Sequence, residues 1–234
     1  MGPCRKPPYF WLNFFGMLHV KAFVFNPFQE NTFVLYDDTS DCVVIDPGCS
    51  DEFERKTLAS FIAQQRLKVK LLLNTHCHID HVLGNAFVKE TYKVNLLIHR
   101  EEKAVLKAAE VYAPGYGFPM YQDLPADGYL EEGDYVKFGH QLLTVLFVPG
   151  HSPGHVAFYD ESNRLLIGGD VLFYNSVGRT DLPGGNHDVL INSIHTKLFT
   201  LPDYVKVYCG HGPETNIGFE KKTNPFCAVS NIKS

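Results

Sequence analysis

The chain has 234 residues, a formal net charge of -5 and 45% hydrophobic residues, enough apolar content to bury a substantial core. The acidic balance leaves no broad basic field to hold phosphate backbones, which argues against a nucleic-acid partner. Six scattered cysteines, Cys4, Cys42, Cys49, Cys77, Cys209 and Cys227, form no Cys-x-x-Cys pair and suit a reduced, cytoplasmic protein, and no apolar run approaches the roughly 18 residues of a membrane helix.

Residues 1–16 carry Arg5 and Lys6 before a short, interrupted apolar stretch with no small-residue cleavage site, and are read as an accessory N-terminal extension ahead of Met17. Residues 17–234 are read as a single domain. Alternation and β-branched enrichment predict a strand meander over 20–25, 32–36 and 42–45. An acidic first turn and a face shared by Phe53, Leu58, Phe61 and Ile62 predict a helix over 51–65. A strand over 69–73, a helix over 82–92, a strand over 95–98 and a helix over 101–110 follow. Residues 111–127, rich in Pro, Gly and Tyr, read as a long connection whose aromatic residues either cover an apolar substrate group or pin the loop to the core. The second set comprises strands at 135–138, 142–148, 156–159 and 164–167, a helix over 187–199 and a strand over 204–208. The stretch from Val34 to Gly48 is patterned like that from Ala157 to Asp170. Two related halves follow, each a sheet with helices outside, stacked face to face in a four-layer αββα sandwich of the α+β class.

The densest chemistry is Thr75-His76-Cys77-His78-Ile79-Asp80-His81, directly after the apolar run of residues 71–73. The two-residue side-chain period of a strand puts His76 and His78 on one side and turns Cys77 into the scaffold. Asp80 and His81 add an oxygen and a third nitrogen, a mixed set suited to zinc, iron or manganese. Further ligand types close other apolar runs: His151 in Val148-Pro149-Gly150-His151, Asp170 after Gly168-Gly169, and His211 after Gly210. A strand stopping at a glycine turn aims a side chain over the sheet edge, where ligands from distant segments gather. Together these are seven candidate ligands, enough for two metal ions sharing a carboxylate.

In that order the seven resemble the metallo-β-lactamase superfamily, and within it the glyoxalase II-like (hydroxyacylglutathione hydrolase-like) small bacterial hydrolases. The narrower likeness is carried by Gly178-Arg179-Thr180-Asp181, by residues 197–202, by Gly210-His211-Gly212-Pro213-Glu214-Thr215 and by residues 222–226. The resemblance implies the same αββα fold, one metal on His76, His78 and His151, a second on Asp80, His81 and His211, and Asp170 bridging them. Two Zn(2+) are the expected cofactors, with Fe or Mn as alternatives. It further implies hydrolysis of a thioester such as S-2-hydroxyacylglutathione by a metal-bridging hydroxide, since zinc brings the pKa of bound water from 15.7 to about 7. Asp80 is the catalytic candidate, orienting that hydroxide as well as binding metal. His155 and Asp46 are candidates for fixing imidazole tautomers; their alternatives are the start of a strand and a turn before Pro47.

Arg179 and Tyr174 are the substrate-binding candidates. Arg179 either pairs with a substrate carboxylate or is spent on a structural ion pair with Asp181; Tyr174 either contacts substrate or packs. The helical C-terminal platform that binds glutathione in larger relatives is largely absent, so the thiol carrier stays open. Two rival readings use the same residues. One is a persulfide dioxygenase with a single iron on His76, His151 and Asp170. The other is a non-catalytic metal-binding module, against which stands a ligand set that leaves room for water. Asp170 points away from antibiotic hydrolysis, because true metallo-β-lactamases generally lack that bridging residue.

Overall fold

The computed structural model of the chain describes residues 16–122 and 124–229. The accessory segment read at 1–16 therefore lies, apart from Gly16, outside the described residues. Two six-stranded sheets carry the architecture. The first, in spatial order, consists of β1 (His19–Phe25), β2 (Glu30–Tyr36), β3 (Asp41–Ile45), β4 (Lys68–Leu73), β5 (Asn95–His99) and β6 (Gly128–Leu130). The second half adds β7 (Tyr135–Phe138), β8 (Gln141–Phe147), β9 (Val156–Asp160), β10 (Leu165–Gly169), the hairpin β11 (Leu172–Phe173) and β12 (Ser176–Val177), then β13 (Lys206–Cys209) and β14 (Thr215–Asn216). Its sheet runs β14-β13-β10-β9-β8-β7.

The helices are α1 (Glu52–Gln64), α2 (Ile79–Val82), α3 (Asn85–Tyr92), α4 (Glu102–Tyr112), α5 (His187–Ser193), which continues as a π-helical turn over Ile194–Leu198, and α6 (Ile217–Thr223). Strand alternation explains how they layer. Val43 and Ile45 of β3 point into an apolar cluster with Phe33, Leu73, Val145, Phe158 and Ile167, so this cluster joins the two sheets. Cys42 and Val44 point the other way, onto Leu58 and Ile62 of α1, Val88 of α3 and Leu106 of α4. On the far side Ala157, Leu166 and Val207 meet Leu190 of α5, Leu198 and Ile217 of α6. Three apolar interfaces separate four layers, which is the expected αββα order.

The repeat read from the sequence has a topological counterpart. β2 pairs antiparallel with β3 and β3 parallel with β4; β9 pairs antiparallel with β10 and β10 parallel with β13. Consequently β3, β4, β10 and β13 deliver their C-terminal ends to one edge.

Some elements differ from expectation. The helix expected over 82–92 is two pieces, because the Gly84 N–H donates to the Pro47 carbonyl at 2.6 Å instead of continuing one helix. Helix α1 starts after Asp51, whose carboxylate accepts the Glu54 N–H at 2.8 Å. Phe53, expected on its buried face, is 78% exposed. Among the described residues no helix is long and apolar enough to cross a membrane.

Candidate metal centre

All seven candidate ligands converge at the shared edge. His76 and His78 follow β4, Asp80 and His81 lie on α2, His151 follows β8, Asp170 follows β10 and His211 follows β13. On one side the His151 Nε2 sits 2.9 Å from His78 Nδ1 and 3.2 Å from His76 Nε2. On the other, His211 Nε2 is 3.1 Å and His81 Nε2 is 3.6 Å from Asp80 Oδ2. The Asp170 carboxylate reaches both sides: Oδ2 is 3.6 Å from His151 and 3.5 Å from His211, and Oδ1 is 3.5 Å from His81.

The opposite ring atoms are fixed by separate partners, which aims the converging nitrogens. His151 Nδ1–H donates to the Arg179 carbonyl at 2.7 Å, and His211 Nδ1–H to the Phe28 carbonyl at 3.0 Å. His81 Nδ1 faces Asp46 Oδ2 at 3.3 Å. Asp46 itself accepts the Thr75 N–H at 2.7 Å and hydroxyl at 2.6 Å, which leaves its carboxylate occupied as a support. It also holds φ +49 in the turn before Pro47, so turn and support coincide in this residue. His155 Nε2 accepts the Asp170 N–H at 3.0 Å, and its ring stacks on His76 at 4.8 Å. Both outer candidates thus contact ligand residues directly.

Electrostatics divide the site. Burial, reinforced by neighbouring imidazoles, pushes His76 well below the ordinary histidine range and His78 down to about 3; burial likewise lowers His151. Those three rings are neutral and ready to donate lone pairs. Burial alone would also lower His81 and His211, but the carboxylates of Asp80 and Asp170 overcome it and raise both. The same cationic neighbours hold Asp170 well below the carboxylate range against its own burial.

A divalent cation fits this donor set. His81 Nε2 and Asp170 Oδ1 are buried without a hydrogen-bond partner, facing each other across 3.5 Å, an arrangement that calls for a positive charge, which the imidazolium proton supplies in the metal-free chain and a metal ion would supply in its place. Nitrogen and carboxylate donors of this kind suit zinc, iron or manganese. Close approach is built into the backbone: a Cβ on Gly210 would overlap Asp170 Oδ1. The Asn31 side chain donates to the carbonyls of Cys209 and Gly212 at 2.9 Å each, tying the His211 loop to the first sheet.

His78, Asp80, His151, Asp170 and His211 floor a cavity of about 910 Å³ whose walls are mainly apolar: Phe28, Val105, Tyr112, Tyr116, Phe173 and Leu182 among them. Tyr112, which closes α4, and Tyr116 come from the aromatic stretch expected either to cover an apolar group or to pin the loop to the core; both line the cavity, Tyr112 also packs on the helix-facing core, and Phe28 meets Tyr116 edge-on at 5.8 Å. Arg179 also lines it, with its guanidinium paired bidentately to Asp181 at 2.7 Å in an exposed position. Tyr174 does not line it. This ring is half exposed and stacks on Phe219 at 5.3 Å, since it sits in the turn between β11 and β12, while Phe173, the last residue of β11, faces the cavity. Cys77 is fully buried in the helix-facing core, as expected, although residues 76–78 lie past the end of β4 and are not part of the strand.

Sequence reasoning missed Glu102. This buried carboxylate accepts the Cys77 N–H, the Ser152 hydroxyl and the Gly154 N–H. A lone acid at a helix start carries no signal of such a role. The backbone carbonyl of Phe28, which orients His211, has no sequence signature at all.

Residues 25–211 match the metallo-beta-lactamase superfamily. The chain is 39% identical over 202 residues to a probable metallo-hydrolase, YqgX, of Bacillus subtilis, covering 86% of this chain and 93% of that one. It is 36% identical over 211 residues to the hydroxyacylglutathione hydrolase GloC of Haemophilus influenzae, covering 89% and 98% respectively. Among solved structures, one described as the B3 metallo-beta-lactamase BLEG-1 superposes with a TM-score of 0.82 at 36% identity, over 90% of this chain and 99% of that one. TTHA1623, solved in a di-iron-bound form, gives 0.78 at 38% identity, over 88% and 100%. Fold, converging ligands and these likenesses agree: the chain belongs to the metallo-β-lactamase superfamily and is one of its metal-dependent hydrolases.

Proposed function

We propose that the chain hydrolyses an acyl thioester, of which S-2-hydroxyacylglutathione is the reference case, with two Zn(2+) as the metals. The observation that carries this reading is the placement of Asp170 between two donor groups, His76, His78, His151 and Asp80, His81, His211, each gathered from both halves, under an apolar-walled cavity. When bound, a pair of divalent metals supplies hydroxide at neutral pH and polarises the carbonyl. Asp80, at the cavity floor beside His211, orients the attacking oxygen. The aromatic wall of Phe28, Tyr112, Tyr116 and Phe173 seats the apolar portion of the thioester and keeps bulk water from it. Arg179, on the same wall, exchanges Asp181 for a substrate carboxylate; an exposed ion pair costs little to break. The likeness to GloC supports the thioester class. The five described cysteines are all buried and include no Cys-x-x-Cys pair, which fits the reducing conditions of the cytoplasm.

A single-iron dioxygenase built on His76, His151 and Asp170 leaves His78, Asp80, His81 and His211 converging for no purpose, which favours the hydrolase. Metal analysis and three assays separate the readings: thioester cleavage, hydrolysis of a chromogenic cephalosporin, and oxygen uptake with glutathione persulfide. Two zinc equivalents with thioester turnover and neither other activity is the expected result. One iron with oxygen uptake, or cephalosporin turnover exceeding thioester turnover, sinks it.

A further inference from the structure

Glu102, the first residue of α4, is fully buried, and both of its carboxylate oxygens are used. Oε2 accepts the N–H of Cys77, between His76 and His78, at 2.7 Å. Oε1 accepts the Ser152 hydroxyl at 2.5 Å and the Gly154 N–H at 2.7 Å, immediately beyond His151. All three donors are neutral, so the carboxylate is kept in the interior by hydrogen bonds, and removing any of them leaves a costly unpaired acceptor. The loop after His151 lies directly on the helix start: a Cβ on Gly154 would fall 2.7 Å from the Glu102 nitrogen.

The placement is selective. Of the residues that Glu102 grips, Cys77 lies between His76 and His78, Ser152 adjoins His151 and Gly154 closes the same turn three positions on, so the contacts tie together ligands from opposite halves of the fold. The other donor group has its own support: the Phe28 carbonyl and Asn31 hold the His211 loop, whereas Asp46 sits behind His81 and, through Thr75, beside His76, and so serves both groups. We propose that Glu102 is a positioning residue that sets the spacing of the His76, His78 and His151 trio, so that α4 governs the affinity of one metal of the pair while Asn31 on β2 governs the other. This rests on the paired-metal assignment above and is independent of the thioester.

The test is stepwise zinc binding, by competition with a chromophoric chelator, together with the melting temperature of the metal-free protein. Glu102→Gln keeps the size but sets an amide N–H against one of the donors. It is expected to weaken one of the two zinc steps by about 10- to 100-fold while leaving the other within about threefold. Ser152→Ala, which removes a single bond and spares the fold, weakens the same step by less. Asn31→Ala, which unties the His211 loop from the first sheet, weakens the other step. If Glu102→Gln lowers both steps equally, lowers only the melting temperature, or strikes the same step as Asn31→Ala, the inference is overturned while the metal pair stands. A wild-type chain that takes up fewer than two zinc ions overturns both.

Discussion

Asp170 is the side chain at which the two donor groups meet. Its carboxylate lies within 3.6 Å of three imidazole nitrogens, and its N–H is anchored to His155. Asp170→Ala removes a shared ligand and the negative charge that favours cations on both sides. Metal content is expected to fall below one ion per chain and kcat/KM to drop by about 100-fold or more. Wild-type turnover in a metal-replete sample of that variant would contradict the bridging role. The seven candidate ligands were legible because each sits at the end of an apolar run, where residue type and position agree. Glu102 and the Phe28 carbonyl were not, since their meaning lies in contacts across 25 to 183 positions. Tyr174 shows the finer limit. The motif put the right hairpin near the metals, but which residue faces inward depends on where its turn falls, and only the pairing of β11 with β12, which leaves Tyr174 in the turn, reveals it.

At the scale of elements, the ends of β10 and β13 decide whether the edge can close. The register between them shifts at Gly169, which holds φ +53, and Gly210 packs against the Asp170 carboxylate. Gly210→Ala is expected to destabilise the fold by about 1–3 kcal/mol through overpacking and to reduce metal content in parallel. Denaturant unfolding with metal analysis checks this; a variant of normal stability and occupancy would show that the turn has slack the structure does not display. The long strands and helices were readable because their patterns repeat over several residues. The two-residue strands β11, β12 and β14 have no period to read and exist only because a neighbour pairs with them. Helix α6 was missed for a related reason: its cap, Asn216 accepting the Phe219 N–H at 2.8 Å, lies in a segment read only for its motif.

For the whole molecule, the metal centre doubles as a joint between halves. Cations bound only by the folded chain stabilise it by about 4 kcal/mol when free metal exceeds Kd a thousandfold, worth about 8–16 °C in Tm at this size. Chelation is expected to remove that increment. The increment should also shrink as pH falls from about 8 to 6. His81 and His211 have raised pKa values in the metal-free chain, so their own contribution to folding is full at acid pH and declines as pH rises through the folded values. Metal must displace those protons, which gives it the opposite slope. Thermal melts with and without chelator across that range measure it, and a pH-independent increment would rule out competition at this group.

The Asn31 side chain grips the carbonyl of Cys209, 178 positions later, and the Asn31 N–H binds Gly210. During synthesis, therefore, the platform and the first four donors leave the ribosome long before His211 exists to rest on it. Until residue 211 has emerged the nascent polypeptide lacks one donor group's last member and cannot capture its full pair of ions.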